Sequence, residues 1–411
     1  MIARLKPRLG LAELSASMRF WCQNAVQDFE KAFAKEAGQK FALAFPYGRT
    51  GLMLTLKALE FQNKEIICPA YTCVVVAHAI VKSGNRPVFV DCEKDSYNMD
   101  LEKAEAAITD NTAAIIATSL FGYPVNLDQL QAINRKHSQV RLIQDCAHSF
   151  MAQFNGVEVQ KVGTAAIYGL NISKLMTSIF GGMITTDDEE FYRKLKNLRA
   201  TSLRKSSIGR SFKRFIYLSA VSIAFWNPVY SFVNWLERLG WLKRFVNYYD
   251  ESAIDMPADY LVIMSPLEAR VGLVQLRKLR AIIDDRRRHA KLYIEALQNL
   301  KGLKLAPFRE GATYSHFVIE TETRDSLLQY CIKNGVQLGK LIEYSIPEMK
   351  AYVDYSRNPE AFKYAHHYKD RMINLPIWHS DNRSTFKIID LMKSFKIWEG
   401  NKKNEAAPHN K

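Results

Sequence analysis

Short apolar runs alternate with longer amphipathic segments between residues 42 and 186. The runs are rich in Val and Ile and lie at residues 65–69, 87–91, 113–119, 140–145, 165–170 and 182–186. Between several of them lie segments with helical periodicity, at residues 52–60, 74–82, 101–108 and 127–137. Strands that are apolar on both faces and alternate with helices are typical of a parallel sheet covered by helices. The pattern therefore predicts an α/β domain.

The pattern changes from residue 266 onward. A long helical segment leads to strand candidates at residues 303–305 and 315–320, followed by helices near residues 324–334 and 384–398. These elements predict a smaller α+β domain. The predicted organisation is an N-terminal arm (1–40), a large α/β domain (41–202), an insertion (203–258), a linker helix with the small domain (259–400) and a frayed tail (401–411).

The insertion and its flanks are strongly basic. Residues 191–249 contain twelve Lys or Arg residues and one acidic residue, a net charge of +11. Residues 215–236 are uncharged and rich in aromatic side chains, and Asn227-Pro228 interrupts them. This interruption predicts a helical hairpin of residues 212–226 and 229–239, not a single membrane crossing. Two locations stay open: an anionic membrane surface contacted by residues 203–250, or the protein body or a dimer interface with the basic residues solvated.

Composition excludes several classes of protein. The 411 residues are 48% hydrophobic and 24% charged, which excludes a disordered chain, a disulfide-stapled miniprotein and a coiled coil. The net charge of +15 favours anionic partners such as nucleotides or anionic lipid, but no nucleic-acid-binding module is recognisable, so nucleic acid is not expected. The cysteines form no CxxC pair, so no metal site is expected. Without an apolar run of signal-peptide length, the expected location is the cytoplasm, with possible attachment at the inner face of the membrane.

A lysine and an aspartate follow neighbouring predicted strands. Asp145 ends the run at 140–145, and Lys174 follows the run at 165–170. The strand ends of an open α/β sheet border one crevice, so both side chains can reach one ligand there. Pyridoxal phosphate requires a lysine amine that binds its aldehyde and a carboxylate that keeps its pyridine nitrogen protonated. The pair fits a pyridoxal phosphate enzyme but is a weak signal alone, because most lysines are solvated surface residues and most aspartates at strand ends are helix caps or turn residues.

A candidate phosphate-binding turn lies upstream. Gly48, Arg49 and Thr50 open a predicted helix after the apolar run at 41–45. Free N–H groups at a helix start, a hydroxyl and a guanidinium all suit a phosphate group. The alternative is a helix start that is capped by Thr50 and binds nothing.

Several segments occur in an order that is specific as a series. They read IICPAYT, GNRPVFVDCEKDSYNMD, AAITDNTAAIIATSLFGYPVNLDQL, LIQDCAHS, SKL, GGMITTDD, SPLEARVGLVQLRKL and INLPIWH. The series resembles the DegT/DnrJ/StrS nucleotide-sugar aminotransferases and covers nearly the whole chain outside residues 203–258. The resemblance implies a pyridoxal phosphate-dependent transferase of fold type I, with a large α/β domain, a mainly parallel sheet and a small C-terminal α+β domain. It also implies a homodimer.

The resemblance assigns roles to individual residues. Lys174 corresponds to the lysine that binds the coenzyme, and Asp145 to the partner of the pyridine nitrogen. His148 lies where the family places a His or Gln near the ring oxygen, and Gly48, Arg49 and Thr50 fall on the phosphate turn. Relatives that act as sugar dehydratases replace the lysine with histidine, so the retained lysine favours transamination.

Other positions depart from the family pattern. Cys73 replaces the aromatic residue that stacks on the coenzyme ring, and Tyr71 is the candidate substitute in an extended segment. Gly169 replaces a serine or threonine that binds the phosphate, and residues 259–263 lack the Asn and Arg of the matching family segment. Each lost charge-assisted contact costs about 1.5–3 kcal/mol, so the phosphate grip is predicted to differ from that of the family.

The predicted reaction is ping-pong transamination. An amino donor, glutamate by resemblance, transfers nitrogen through the coenzyme to a keto-sugar that is linked to a nucleotide or a lipid. Such products belong to polysaccharide, glycolipid or secondary-metabolite biosynthesis. Two alternatives remain open: another pyridoxal reaction such as elimination or dehydration, and a non-catalytic, membrane-associated family member.

Overall fold

Seven strands form the central sheet of the computed structural model, which describes residues 1–19, 24–94, 96–239, 252–356 and 358–395. Their order is β1-β9-β8-β5-β4-β2-β3, and β9 alone runs antiparallel to its neighbours. The strands are β1 (Phe41–Phe45), β2 (Glu65–Pro69), β3 (Arg86–Val90), β4 (Thr112–Thr118), β5 (Arg141–Asp145), β8 (Ala165–Gly169) and β9 (Gly182–Thr186). Every predicted run in this region begins and ends within one residue of a strand.

The sheet is buried on both faces, as the apolar runs predict. Successive residues of one strand point to opposite faces, and Ile66 and Ile67 of β2 belong to two different hydrophobic clusters. Ile115 and Ile116 of β4 divide between the same two clusters. The predicted α/β fold class with a mainly parallel sheet is confirmed.

Three of the helices that accompany the sheet begin where a polar side chain caps them. Asp100, Asn126 and Asp188 each accept hydrogen bonds from backbone N–H groups of the helix that follows. The helices that accompany the sheet are α1 (Leu11–Ser17), α2 (Ala25–Ala37), α3 (Gly48–Ala58), α4 (Val75–Lys82), α5 (Leu101–Ala106), α6 (Leu127–Lys136) and α7 (Glu189–Ser202). The two helices within the predicted N-terminal arm, α1 and α2, were not expected.

The C-terminal part contains a three-stranded antiparallel sheet in the order β10-β11-β12. Its elements are α10 (Pro266–Leu297), β10 (Lys304–Leu305), β11 (Phe317–Glu320), α11 (Arg324–Lys333), α12 (Lys363–Arg371), β12 (Met372–Leu375) and α13 (Arg383–Lys393). The short strand β12 and the small hairpin of β6 (Gln153–Phe154) and β7 (Val157–Glu158) were not predicted. The predicted domain boundaries stay predictions, and the tail at 401–411 and the end of the helix predicted to residue 398 lie outside the described residues.

The insertion forms two helices, α8 (Ile208–Ala224) and α9 (Asn227–Arg238). The first begins four residues before the predicted start at residue 212, because the Ser207 hydroxyl caps it by accepting from Arg210 N at 3.1 Å. Among the described residues, no single helix is long and apolar enough to cross a membrane. The apolar parts of α8 and α9 pass that test only as a pair, and they are bent by 106°.

Candidate functional site

Lys174 and Asp145 lie at the same edge of the central sheet. Asp145 ends β5, and Lys174 lies between β8 and β9. The stem of Lys174 passes over Gly169, because a Cβ added there would lie 3.3 Å from Lys174 Cε and 3.5 Å from Ala147 Cβ. The ammonium charge of Lys174 acts on Asp145, His148 and a third residue, His316. The structure thus brings the predicted lysine and aspartate together.

The Asp145 carboxylate is buried, with 7% of the residue exposed, and its two oxygens have different partners. Oδ1 accepts from Ala147 N at 3.0 Å, and Oδ2 accepts from the Thr118 hydroxyl at 3.3 Å. Burial raises the pKa of Asp145, although the Ala147 hydrogen bond and the Lys174 charge oppose this rise. A buried carboxyl with a raised pKa gains most from a cationic partner, and a protonated pyridine nitrogen is such a partner.

The His148 ring accepts a hydrogen bond from a backbone N–H group of another segment and is neutral. Its Nδ1 accepts from Phe121 N at 3.2 Å, so the ring proton is placed on Nε2. Burial, followed by the charge of Lys174, lowers the pKa of His148 well below its ordinary value. His316 packs against it with ring centroids 4.9 Å apart, and its pKa is lowered by burial and by Arg286.

His316 and Phe121 are the site residues that sequence reasoning missed. Phe121 stacks on His148 and adopts a left-handed backbone conformation with φ of 57°. His316 comes from the C-terminal part of the chain, directly before β11. The only local signal was a histidine next to a strand, which by itself does not distinguish a site residue from a core residue.

At the predicted phosphate turn, two glycines from different segments are in close contact. Gly48 opens α3, and a Cβ added at Gly182 would lie 2.4 Å from Gly48 N. A Cβ at Gly48 itself would lie 3.2 Å from Tyr168 O. Larger side chains would therefore displace the N-terminus of α3, where backbone N–H groups can bind a phosphate.

The other residues predicted to bind the coenzyme have mixed surroundings. Arg49 is half-buried, and burial lowers the pKa of its guanidinium; Cys73 is half-buried as well. The Thr50 hydroxyl donates to Tyr260 O at 3.0 Å. Tyr71 is fully buried against Phe121 and Tyr368. The roles of these residues in coenzyme binding stay predictions.

Two arginines of α8 bind the protein body. Arg210 Nε lies 3.0 Å from Asp259 Oδ2, and Arg214 Nη2 lies 2.8 Å from the same oxygen. Both arginines also pair with Glu268, which is fully buried. Tyr47, the residue before the phosphate turn, donates its hydroxyl to Asp259 Oδ1 at 2.5 Å. The expectation that the basic residues of this region are solvated or face lipid is therefore wrong for Arg210 and Arg214.

Arg214→Met is expected to lower the free energy of unfolding by about 3 kcal/mol, because it leaves the buried Glu268 with one cation fewer. The substitution also removes the guanidinium that lies 3.9 Å from the centroid of the Phe180 ring. Urea unfolding measures the change. The exposed neighbour Lys213 provides the control, and Lys213→Met is expected to change stability by less than about 0.5 kcal/mol. Equal effects of both substitutions would contradict a stabilising role for the ion pairs of Arg214 with Asp259 and Glu268.

The residues present fit pyridoxal phosphate in type and position. An amine, a buried carboxyl and a helix N-terminus with an arginine lie at one edge of the sheet, and bare Gly169 leaves room beside Lys174. An open cleft between α11 and α13, lined by Tyr330 and Arg383 among others, contains none of these groups. The sheet edge is therefore the candidate active site.

A mainly parallel α/β sheet with a lysine after β8 and a buried aspartate at the end of β5 defines a class of protein, the pyridoxal phosphate-dependent transferases of fold type I. The chain belongs to the DegT/DnrJ/EryC1/StrS aminotransferase family, whose model matches residues 11–392. It is a family of pyridoxal phosphate-dependent aminotransferases, and some relatives are sugar dehydratases. The predictions of family and enzyme class are confirmed.

The chain is similar to individual proteins along most of its length. Over 375 residues, the chain is 28% identical to a UDP-N-acetyl-3-dehydro-α-D-glucosamine 3-aminotransferase of Acidithiobacillus ferrooxidans, covering 90% of this chain and 88% of that one. It is 31% identical over 276 residues (67% of this chain) to an uncharacterized protein of Methanocaldococcus jannaschii, and spans 62% of its length. The Helicobacter pylori aminotransferase PseC, involved in pseudoaminic acid biosynthesis, superposes with a TM-score of 0.75 at 20% identity, covering 97% of this chain and 99% of that one.

Proposed function

We propose that the protein uses pyridoxal phosphate to transfer an amino group from glutamate to a keto-sugar that is linked to a nucleotide or a lipid. The observation that carries this proposal is the approach of the Lys174 side chain to Gly169 and Ala147, next to the buried Asp145, at the carboxyl ends of β5 and β8. The Acidithiobacillus relative, whose name states a UDP-linked 3-keto-sugar as its substrate, supports a keto-sugar acceptor.

Each residue of the site has a defined task in this proposal. The coenzyme, when bound, supplies the aldehyde that accepts the amino group and a ring that withdraws electrons. Lys174 Nζ holds the coenzyme and, after an amino donor displaces it, moves the proton of the donor's α-carbon. The Asp145 carboxylate holds a proton on the pyridine nitrogen. His148 presents a neutral ring whose Nε2 proton can be donated to the coenzyme.

The phosphate grip follows from the turn at the start of α3. The N–H groups of its first turn and the Arg49 guanidinium bind the phosphate, and Gly169 adds no hydroxyl. The Thr50 hydroxyl already donates to Tyr260 O, so it contributes less than the backbone. We also propose a homodimer, as the resemblance implies, and the cytoplasm stays the predicted location.

The test uses the purified full-length chain. Added pyridoxal phosphate is expected to give a visible absorbance band, which glutamate removes with one 2-oxoglutarate formed per site. A UDP-linked 3-keto-N-acetylglucosamine should then restore the band and yield an amino sugar that mass spectrometry detects. Conversion of the keto-sugar to a product that carries no new amino group would support elimination instead and contradict the proposal.

Two departures from the family pattern favour a second candidate, a non-catalytic member. Cys73 offers no aromatic ring for the coenzyme, and Gly169 offers no hydroxyl for its phosphate. This candidate predicts that the chain binds no pyridoxal phosphate at micromolar coenzyme concentrations. The same spectrum therefore separates the two candidates before any substrate is added.

A further inference from the structure

Both helices of the insertion expose several large apolar side chains. On α8, the exposed residues recur at helical spacing along one side, and α9 adds a second group at the same spacing. Each residue of this hairpin face is more than half exposed. The hairpin face consists of Ile208, Phe212, Ile216, Ile223, Trp226, Phe232, Trp235 and Leu239.

The opposite side of α8 is fixed to the protein body. Leu218 is fully buried in a cluster with Ile179, Leu267 and Val271. Arg210 and Arg214 add the ion pairs with Asp259 and Glu268 described above. Since this side of the helix is held by both apolar packing and charge, the exposed side has a fixed orientation. Rotation of α8 therefore cannot bury its exposed apolar residues against the protein body.

Charge determines what can cover the hairpin face. Arg204, Lys205 and Lys213 are exposed, and residues 203–239 contain six Lys or Arg residues and one acidic residue, Glu237. Two copies of the chain joined through this face would bring these cations together, which is unfavourable. Anionic lipid headgroups complement them, and each lysine or arginine near such a surface strengthens attachment.

We propose that the hairpin face docks on an anionic membrane surface. The exposed tryptophans and phenylalanines enter the boundary between headgroups and acyl chains, which suits amphipathic aromatic rings. α8 and α9 meet at a bend of 106°, and the proposal places this bent pair on the membrane surface and not across the bilayer. Because Arg210 and Arg214 are engaged internally, attachment depends more on the apolar residues than the net charge of the region indicates.

The test is sedimentation of the full-length protein with vesicles, without coenzyme or substrate, so its outcome is independent of the proposed function. The protein should sediment with vesicles of phosphatidylcholine and phosphatidylglycerol and bind pure phosphatidylcholine at least tenfold more weakly. The double substitution Phe212→Glu, Ile216→Glu should reduce binding at least tenfold. The double substitution Val353→Glu, Phe386→Glu makes the same charge change at two exposed apolar residues elsewhere and should reduce binding less than twofold.

Three results would overturn the proposal. Wild-type protein that stays in the supernatant with anionic vesicles shows that the face does not bind lipid. If, in addition, Phe212→Glu, Ile216→Glu lowers the mass measured by light scattering, the face is a contact between copies of the chain. Protein that stays on the vesicles after an alkaline carbonate wash has inserted into the bilayer, which contradicts surface docking. A far-UV circular dichroism spectrum and a urea unfolding midpoint like those of the wild type verify that the variant is folded.

Discussion

Lys174→Ala is expected to lower the rate of amino transfer from glutamate by at least about 10³-fold, because proton transfer by a positioned side chain contributes about 10²–10⁴-fold. The variant loses both the amine that holds the coenzyme and the base that moves the α-proton. Single-turnover conversion of glutamate to 2-oxoglutarate measures the loss. A band of bound coenzyme that keeps the wild-type spectrum in the variant would contradict the assignment.

The control for this prediction is another lysine whose partner lies on the surface. Lys161 pairs with Glu158 at 3.0 Å, and Lys161→Ala is expected to keep the wild-type rate. Addition of a small primary amine to Lys174→Ala should restore part of the rate, since the amine can take over the proton transfer. A variant that was inactive only because it misfolded would not recover in this way.

Asp145→Asn is expected to lower the rate on the order of 10²-fold, because a hydrogen bond to a charged partner is worth about 1.5–3 kcal/mol. The amide keeps the volume of the side chain but cannot hold a proton on the pyridine nitrogen. Stopped-flow measurement of the glutamate half-reaction reports the rate, and titration with pyridoxal phosphate reports the affinity. Both the rate of the glutamate half-reaction and the affinity for pyridoxal phosphate should fall.

The hydroxyl beside Asp145 provides the matched control. Thr118 donates to Asp145 at 3.3 Å, and Thr118→Val removes this long hydrogen bond without removing the charge. Its effect is expected to stay below about tenfold. If Thr118→Val were as damaging as Asp145→Asn, the packing around the carboxylate, and not its charge, would determine the rate.

The bounds of secondary-structure elements can be predicted most closely where a single element has a strong hydrophobic pattern. The strands of the central sheet are buried on both faces, so unbroken runs such as those of β2 and β9 predicted their boundaries closely. The four-residue strand β12 is too short to show a period, and its identity depends on pairing with β11. Pairing between segments distant in sequence cannot be read from either segment alone.

The difference between a pattern within one segment and a contact between distant segments also explains which site residues could be predicted. Lys174 and Asp145 were predicted because strand ends mark ligand positions in this fold class. His316 was missed because it reaches His148 only after the C-terminal part packs on the central sheet. The net charge of the insertion was also misleading, since a sequence does not show that Arg210 and Arg214 have buried partners in Asp259 and Glu268.

The contact between Gly48 and Gly182 has a consequence for synthesis of the chain. β1 lies at the edge of the sheet and pairs with β9. The segment that precedes α3 therefore cannot pair in the sheet until residues 182–186 have left the ribosome. Contacts between residues so distant in sequence form slowly, because a long loop must close first. A nascent chain that ends before β9 therefore lacks one side of the predicted phosphate turn, and we expect it to bind no coenzyme until translation has passed that strand.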